Sequence, residues 1–220
     1  MSLALDHLVV AARTLEEGAQ WLEARTGVPT VAGGKHALMG THNRLVGLGG
    51  GAFLEIIAID PAAPPPARPR WFSLDSPAMR RRLDAGPAII HWVARTDDID
   101  AAREAAPDLV GDILALTRGD YRWRIGVPAD GSLPAHGAFP TLIQWEGDRH
   151  PASALAESGC RLERLTARTP GAAGYLSTLR GLGLPESAPV RLVASEATGL
   201  SAVLHSPRGV VLLPESGARE

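Results

Sequence analysis

Two stretches of the chain share one pattern of apolar and polar positions. Residues 3–11 and 88–94 are short apolar runs that contain His7 and His91, and each run is followed by a polar break and a helix-like segment. Apolar runs of this length indicate strands, and the polar starts after them indicate helices. We therefore predict an internal repeat that begins with a strand and a helix in each copy.

Both copies continue with three extended segments. In the first copy these segments fall near 30–31, 43–48 and 52–59, and in the second near 112–117, 121–127 and 141–145. The order in each copy is therefore β-α-β-β-β. Most connections between the strands are too short for helical crossovers, which predicts an α+β protein with a strongly twisted mixed sheet.

A third and weaker copy begins near residue 161 and lacks the histidine. We predict a first βαβββ module over 1–60, a linker over 61–87, a second module over 88–150 and a third βαβββ-like unit over 158–215. The linker starts with a surface stretch rich in proline and alanine. The third unit could extend the sheet, cover an edge or form a dimer contact.

Composition narrows the class of protein. Hydrophobic residues make up 45% of the chain, charged residues 21%, and the formal net charge is −2, which predicts a soluble globular protein with no general attraction for nucleic acid or membranes. Cys160 is the only cysteine, so no disulfide can form within the chain. With no signal-like N-terminus and no apolar run of membrane-spanning length, we predict a cytoplasmic protein.

A carboxylate in an apolar strand marks the candidate site. Glu55 interrupts the otherwise apolar run 52–59, and a buried carboxylate requires a partner such as a metal, a histidine or an arginine. Glu55 lies in the last strand of the first module and His7 in its first strand, while His91 arrives from the second module. We predict that these three residues bind a divalent metal, with Zn, Fe, Mn, Co and Ni all compatible with such ligands.

The second module should supply a fourth ligand at the position equivalent to Glu55. The best local match is Gln144, and Glu146 lies two residues further on the same strand face. Glutamine is a weak, neutral ligand, whereas Glu146 would complete a site with two histidines and two carboxylates.

Other polar and aromatic residues suggest how a substrate is bound. The glycine-rich stretch 33–44 presents His36 and His42 as acid-base groups and Asn43 as a hydrogen-bonding group. Aromatic walls and a cationic clamp for an anionic or carbonyl substrate are predicted, with Gln144 as a further pocket residue. The predicted wall residues are Trp71, Phe72, Trp92, Trp123 and Trp145, and the predicted clamp residues are Arg122 and Arg124.

With these residues and the doubled βαβββ order, the chain resembles the vicinal oxygen chelate superfamily, and more narrowly its glyoxalase-like domain group. The resemblance is carried by Gly33-Gly34-x-His36, Gly40-Thr41-His42-Asn43, Leu54-Glu55-Ile56-Ile57 and Leu142-Ile143-Gln144-Trp145. It implies a cup-shaped sheet around a divalent metal that chelates vicinal oxygens of the substrate. His7, Glu55 and His91 fall on the usual ligand positions, and Gln144 stands where glutamate or aspartate is usual.

Three functions follow from the resemblance, because the superfamily includes lyases, isomerases, ring-cleaving dioxygenases and antibiotic-binding proteins. The first is a metal-dependent lyase, isomerase or dioxygenase that acts on a small oxygen-rich molecule, with Glu146, His36 or His42 moving the proton. The second is a metal-free protein that binds an aromatic or antibiotic-like small molecule within a homodimer. The third is a scaffold with a vestigial pocket.

Overall fold

The computed structural model describes residues 1–213 of the 220-residue chain. The strands are β1 (Leu3–Ala11), β2 (Val31–His36), β3 (Thr41–Gly47), β4 (Phe53–Ile59), β5 (Ala88–Thr96), β6 (Asp112–Arg118), β7 (Tyr121–Val127), β8 (Thr141–Trp145), β9 (Arg161–Thr169), β10 (Val190–Ala194), β11 (Gly199–Ser206) and β12 (Gly209–Leu213). The helices are α1 (Leu15–Thr26), α2 (Pro77–Asp84), α3 (Ile99–Ala105), α4 (Pro107–Val110), α5 (Pro151–Ala154) and α6 (Ala172–Gly181), with a 3-10 helix over Pro134–Gly137. Within residues 1–213, none of the helices has the length and apolar character needed to span a membrane.

The first eight strands form one sheet in the order β2-β3-β4-β1-β5-β8-β7-β6. In each βαβββ module the last strand pairs in parallel with the first, and β1 pairs with β5 in antiparallel where the modules meet. This confirms the predicted α+β fold built from repeated modules. We call the side of the sheet that carries His7 and Glu55 its front face, and the side that carries Leu8 and Ile56 its back face.

The pairing of β1 with β5 gives the two modules an approximate twofold relation. His7 lies opposite Val93. Val9 lies opposite His91. A twofold rotation between the strands exchanges these two pairs, so it relates His7 to His91, as the repeated sequence pattern predicts.

Helix α1 is fixed by the residues at its two ends. The Thr14 side chain accepts a hydrogen bond from the backbone N–H of Glu17, and Gly27 ends the helix in a left-handed conformation with φ of 74°. Gly18 allows a close approach to β4, because a Cβ at this position would lie 2.4 Å from Cγ2 of Ile56. The helix therefore packs tightly on the back of the strand that carries Glu55.

The segment predicted as a linker over 61–87 is only partly a surface linker. Its first residues are exposed, but five side chains that follow are buried in the apolar cluster on the front face: Trp71, Phe72, Leu74, Met79 and Leu83. Phe72 and Ser73 have positive φ values of 59° and 57°, which are uncommon for residues other than glycine. The segment therefore closes over the front of the sheet in a strained turn.

The third unit has the predicted order of elements but a different strand pairing. Its strands form a separate sheet in the order β10-β9-β11-β12, in which β9 pairs in parallel with β10 across helix α6. Residues such as Leu165, Ala202 and Leu204 share one apolar cluster with Leu8 and Trp92 of the large sheet. The unit covers the back face and neither extends the large sheet nor caps its edge. Residues 214–215 of the predicted unit lie outside the described residues.

Candidate functional site

A cavity of about 40 Å³ lies on the front face of the large sheet. Five polar or charged side chains contribute to its lining: His7, His36, Asn43, Glu55 and Arg118. Much of the remaining wall is aromatic and comes from Phe53, Trp71, Phe72, Trp123 and Trp145. The cavity therefore brings a small number of polar groups together within apolar walls, which exclude most water.

His7 is held by its neighbour in the chain. Nδ1 of His7 lies 2.6 Å from Oδ1 of the fully buried Asp6. Adjacent residues of a regular strand point to opposite faces, but the register of β1 with β5 shifts between Leu5 and His7, which lets the two side chains meet. Asp6 thus fixes the His7 ring with Nε2 on the other side, toward the cavity.

Asp6 accepts hydrogen bonds from two further rings. Nε1 of Trp145 and Nε2 of His150 lie 3.0 and 2.9 Å from its Oδ2. Burial by itself raises the pKa of Asp6, but hydrogen bonds from His150 and His7, together with the charges on these rings, outweigh it and hold the pKa well below its ordinary value. Asp6 is therefore a buried carboxylate that stays ionised.

Glu55 faces His7 from the next strand. Its Oε2 lies 3.6 Å from Nε2 of His7, and its Oε1 accepts a hydrogen bond of 2.5 Å from Nδ2 of Asn43. The orientation of the Asn43 amide is set by Gly34, whose backbone N–H donates to Oδ1 at 2.7 Å. The carboxylate that the apolar strand pattern singled out is thus partnered by a histidine and an amide.

His36 is buried beside the same amide. Its Nδ1 lies 3.1 Å from Oγ1 of Thr41, and its Nε2 lies 3.4 Å from Nη1 of Arg118. Burial lowers the pKa of His36 to about 4, although the charge of Glu55 acts in the opposite direction. The ring is therefore neutral near pH 7 and is suited to accept a hydrogen bond from Arg118.

His91 forms its hydrogen bonds within the second module. Its Nε2 accepts a hydrogen bond of 3.0 Å from the backbone N–H of Thr141 and lies 3.0 Å from Oγ1 of the same residue. The side chain is completely buried, and the Phe72 ring lies 5.3 Å from its ring. The lone pair that would bind a metal is thus already engaged.

The residues present do not fit the three-ligand metal site predicted from the sequence. Across residues 1–213, no three side chains of His, Cys, Asp or Glu are grouped so that they could hold a metal ion. His7 and Glu55 come together, but His91 does not join them. The metal and its identity stay predictions, and no chemical step is assigned to a metal below.

Strand register explains why the fourth ligand is also missing from the cavity. Glu55 lies beside Val9, and Thr141 lies beside Val93. The twofold relation between the modules therefore makes Thr141, and neither Gln144 nor Glu146, the equivalent of Glu55. The Gln144 amide bonds instead to the backbone of Ile99 and Asp97 at the start of α3. Glu146 is exposed beyond the end of β8.

Comparison with known families decides what kind of protein this is. Residues 5–183 match the family model described as a glyoxalase-like domain. The chain belongs to this family. The match and the topology together confirm the resemblance to the vicinal oxygen chelate superfamily.

Solved structures with a similar fold include a hypothetical protein from Staphylococcus aureus, with a TM-score of 0.58 and 12% identity over 90% of this chain and 88% of that one. A second is methylmalonyl-CoA epimerase from Mycobacterium tuberculosis, with a TM-score of 0.42 and 19% identity over 66% of this chain and 89% of that one. No curated protein matches the chain. At these identities the likeness to the S. aureus protein is one of fold.

Only part of the predicted site of this glyoxalase-like protein meets at the cavity. Asn43 and His36 line it, whereas His42 lies on the opposite face of β3. Four of the five predicted aromatic residues also line it: Trp71, Phe72, Trp123 and Trp145. The other predicted substrate-binding residues lie elsewhere: Trp92 in the back-face core, Arg122 at the exposed surface, and Arg124 in an ion pair of 2.6 Å with Asp100. Successive side chains of a strand point to opposite faces of the sheet. Trp92 directly follows His91 and therefore points to the back face.

Two residues of this site, Asp6 and Arg118, were not identified from the sequence. Arg118 lines the cavity, and Asp6 holds His7 from behind. Asp6 carried a usable signal, since a charged residue inside an apolar strand next to a histidine needs a partner. Nothing local marks Arg118, which reaches the cavity because the curled sheet brings β6 near β2.

The buried state of His91 makes a prediction about stability and pH. Burial lowers its pKa to about 3 from an ordinary 6.5, so its contribution to stability is complete above pH 6.5 and is lost as the pH falls toward 3. We expect His91→Gln, which keeps an acceptor for Thr141 N–H, to lessen this acid sensitivity by up to about 1.4 kcal/mol per pH unit.

Urea denaturation from pH 7 to pH 4 measures this effect. The control is His205→Gln, which removes an exposed histidine that pairs with Glu163, and its slope should change less than that of His91→Gln. Equal slopes for His91→Gln and the wild type would show that His91 is not kept neutral by burial.

Proposed function

We propose that this protein is an enzyme that moves a proton beside a carbonyl group of a small, oxygen-rich substrate, and that His7 and Glu55 carry the proton. This corresponds to the isomerase or lyase chemistry within the functions considered from the sequence. The observation that carries the proposal is the approach of Nε2 of His7 to Oε2 of Glu55 at 3.6 Å inside a largely apolar cavity.

These two atoms would repel each other without a proton. Asp6 accepts the Nδ1–H of His7, which leaves Nε2 as the nitrogen with a free lone pair. Oε2 of Glu55 also offers only lone pairs when the carboxyl group is ionised. A proton held by the pair removes the conflict, so His7 and Glu55 form a site that can take up and release one proton.

The surroundings suit such a step. The ionised Asp6 compensates the positive charge on His7 after it accepts a proton, and Asn43 holds Glu55 in place. The aromatic walls exclude water, which would otherwise compete for the proton. Return of the proton to a neighbouring carbon gives an isomerase, and loss of a leaving group from the deprotonated substrate gives a lyase.

Deuterium exchange tests the proposal directly, because it follows the proton itself and does not depend on which product forms. The protein is incubated in D₂O with dihydroxyacetone, glyceraldehyde, 2-oxobutyrate and the hemithioacetal of methylglyoxal, and exchange beside the carbonyl is followed by NMR. We expect catalysed exchange with at least one compound. His7→Asn and Glu55→Gln should slow it by about a hundredfold or more, because positioned acid-base groups contribute this much.

His42→Asn is the matched control, since this histidine lies outside the cavity. Its exchange rate should equal that of the wild type. Each reaction is run with and without added Zn²⁺ or Mn²⁺, which tests the predicted metal separately. Exchange that is unaffected by His7→Asn would contradict the assignment, and no exchange with any compound would contradict the proposed function.

The aromatic walls also favour the second candidate, a metal-free protein that binds an aromatic ligand. The polar lining favours the enzyme over this candidate, because an apolar aromatic ligand would leave His7, Glu55 and Arg118 without polar partners in the cavity. Quenching of tryptophan fluorescence by planar aromatic compounds, in the absence of any exchange activity, would favour this candidate. The homodimer stays a prediction from the sequence.

A further inference from the structure

Arg118 reaches the cavity from the far edge of the second module. It is the last residue of β6, and its side chain lies against β2 of the first module. Gly34 makes room for it, since a Cβ on Gly34 would lie 2.5 Å from Cδ of Arg118. The guanidinium group therefore sits where the two edges of the curled sheet approach each other.

Every partner of this guanidinium group is neutral. Nη1 lies 3.4 Å from Nε2 of His36 and 3.3 Å from Oδ1 of Asn43, and the group lies 5.6 Å from the ring centre of Tyr121. Within residues 1–213, no carboxylate comes within ion-pair distance of Arg118. A half-buried cation with no counter-ion is unfavourable unless an anion from outside the chain completes it.

Other arginines of the protein show the contrast. Arg70 pairs with Asp75 at 2.7 Å, and Arg124 pairs with Asp100 at 2.6 Å. Arg118 is different because the amide of Asn43 lies between it and Glu55. Oδ1 of this amide faces Arg118, and Nδ2 faces Glu55. Asn43 thus keeps the arginine and the glutamate apart, although each is bonded to the same side chain.

We infer that Arg118 binds a carboxylate of the substrate, so that the substrate class is a small oxygen-rich acid. A guanidinium group matches a carboxylate in shape and charge and can bind both of its oxygens. Arg118 and the His7–Glu55 pair line one cavity, so an acid held by Arg118 places the carbons beyond its carboxylate toward the proton-carrying pair. The inference rests on the proposed function for the choice of a small carbonyl compound.

Oxalate is the probe for this site because it is small, planar and anionic. Oxamide has the same shape without charge and is its counterpart. Binding is measured by tryptophan fluorescence, since Trp71 and Trp123 line the cavity, on protein dialysed against EDTA so that a bound metal does not hold the oxalate. We expect oxalate to bind with a Kd of about 1 mM or lower. Oxamide should bind at least about tenfold more weakly.

The variants identify the residue responsible. Arg118→Gln should weaken oxalate binding by about tenfold or more and leave oxamide unchanged, since a charge-assisted hydrogen bond is lost. The oxalate affinity of Arg118→Lys should lie between those of Arg118→Gln and the wild type. Lysine keeps the positive charge but lacks the planar guanidinium group that binds both carboxylate oxygens. Arg122→Gln is the matched control on the exposed surface and should bind as the wild type does. Thermal unfolding confirms that each variant is folded.

Two results would overturn the inference: wild-type protein that does not bind oxalate, or Arg118→Gln that binds it unchanged. Failure of the proposed function gives a different result. If oxalate binding depends on Arg118 but none of the carbonyl compounds exchanges deuterium, the anion site stands and the proton-transfer function falls. If exchange of 2-oxobutyrate occurs at the same rate in Arg118→Gln, the function stands and the inference about substrate falls.

Discussion

Replacing Asp6 with alanine is expected to lower the free energy of unfolding by about 3–5 kcal/mol, which is the cost of removing one partner from a buried charged network. Three ring N–H groups, on His7, Trp145 and His150, lose their acceptor at once. Asp6→Asn keeps the shape and one acceptor oxygen, so we expect a smaller loss. Urea denaturation at pH 7 measures both.

Asp120→Ala provides the control for this comparison. Asp120 forms an ion pair with Arg149 at 2.6 Å, but both of these side chains are exposed. Such a pair contributes about 1 kcal/mol or less. An Asp6→Ala variant that loses no more stability than Asp120→Ala would show that the buried network is not what holds β1 in place.

Acid should weaken the same network in the wild type. The pKa of Asp6 is held below its ordinary value of 3.8, so its stabilising contribution is complete above that pH and is lost as the pH falls further. Asp6→Asn has no carboxylate to protonate. We therefore expect the difference in stability between wild type and Asp6→Asn to shrink below about pH 4, as measured by urea denaturation in acidic buffers.

Gly33→Ala should disable the cavity while leaving the protein folded. A Cβ on Gly33 would lie 2.0 Å from Oδ1 of Asn43 and 2.9 Å from the backbone oxygen of the same residue. The methyl group must displace the amide that holds both Glu55 and Arg118. We expect at least about a tenfold loss of oxalate binding and of deuterium exchange, with about 1–3 kcal/mol lost from the free energy of unfolding.

Gly174→Ala is the matched control, because nothing lies within 4 Å of the added methyl group in helix α6. It should leave binding unchanged and stabilise the helix by about 0.5–1 kcal/mol. Unchanged oxalate binding in Gly33→Ala would mean that the amide of Asn43 does not need its present position for the site to work.

The sequence predicts the architecture well because the signals for it are local. Apolar runs place β1 and β5, and the repeat of His7 and His91 reveals two related modules. Each of these signals extends over only a few residues. The separate sheet of the third unit was not predictable in this way, because its order of elements is the same as in the modules and only the pairing differs.

The site is harder to predict because its contacts depend on register and curvature. A shift of register lets Asp6 and His7 meet, although simple alternation separates them. Comparison of the local amino-acid sequences selects Gln144 as the equivalent of Glu55, whereas the pairing of the strands selects Thr141. Arg118 arrives through the curl of the whole sheet. Sequence reasoning found four polar residues of the cavity, which lie on the strands of a single module: His7, His36, Asn43 and Glu55. Among the aromatic residues it found Trp145, at the end of β8 in the second module.

The twofold relation between the modules has a consequence for how this protein can change. Duplication of one module creates two half-sites, yet here only the half with His7 and Glu55 opens onto the cavity, and its counterpart with His91 and Thr141 is packed solid. Substitutions of His7 or Glu55 should alter the chemistry, whereas substitutions of His91 or Thr141 should act on folding alone. The activity of the protein can therefore change through the first module, and its stability through the second.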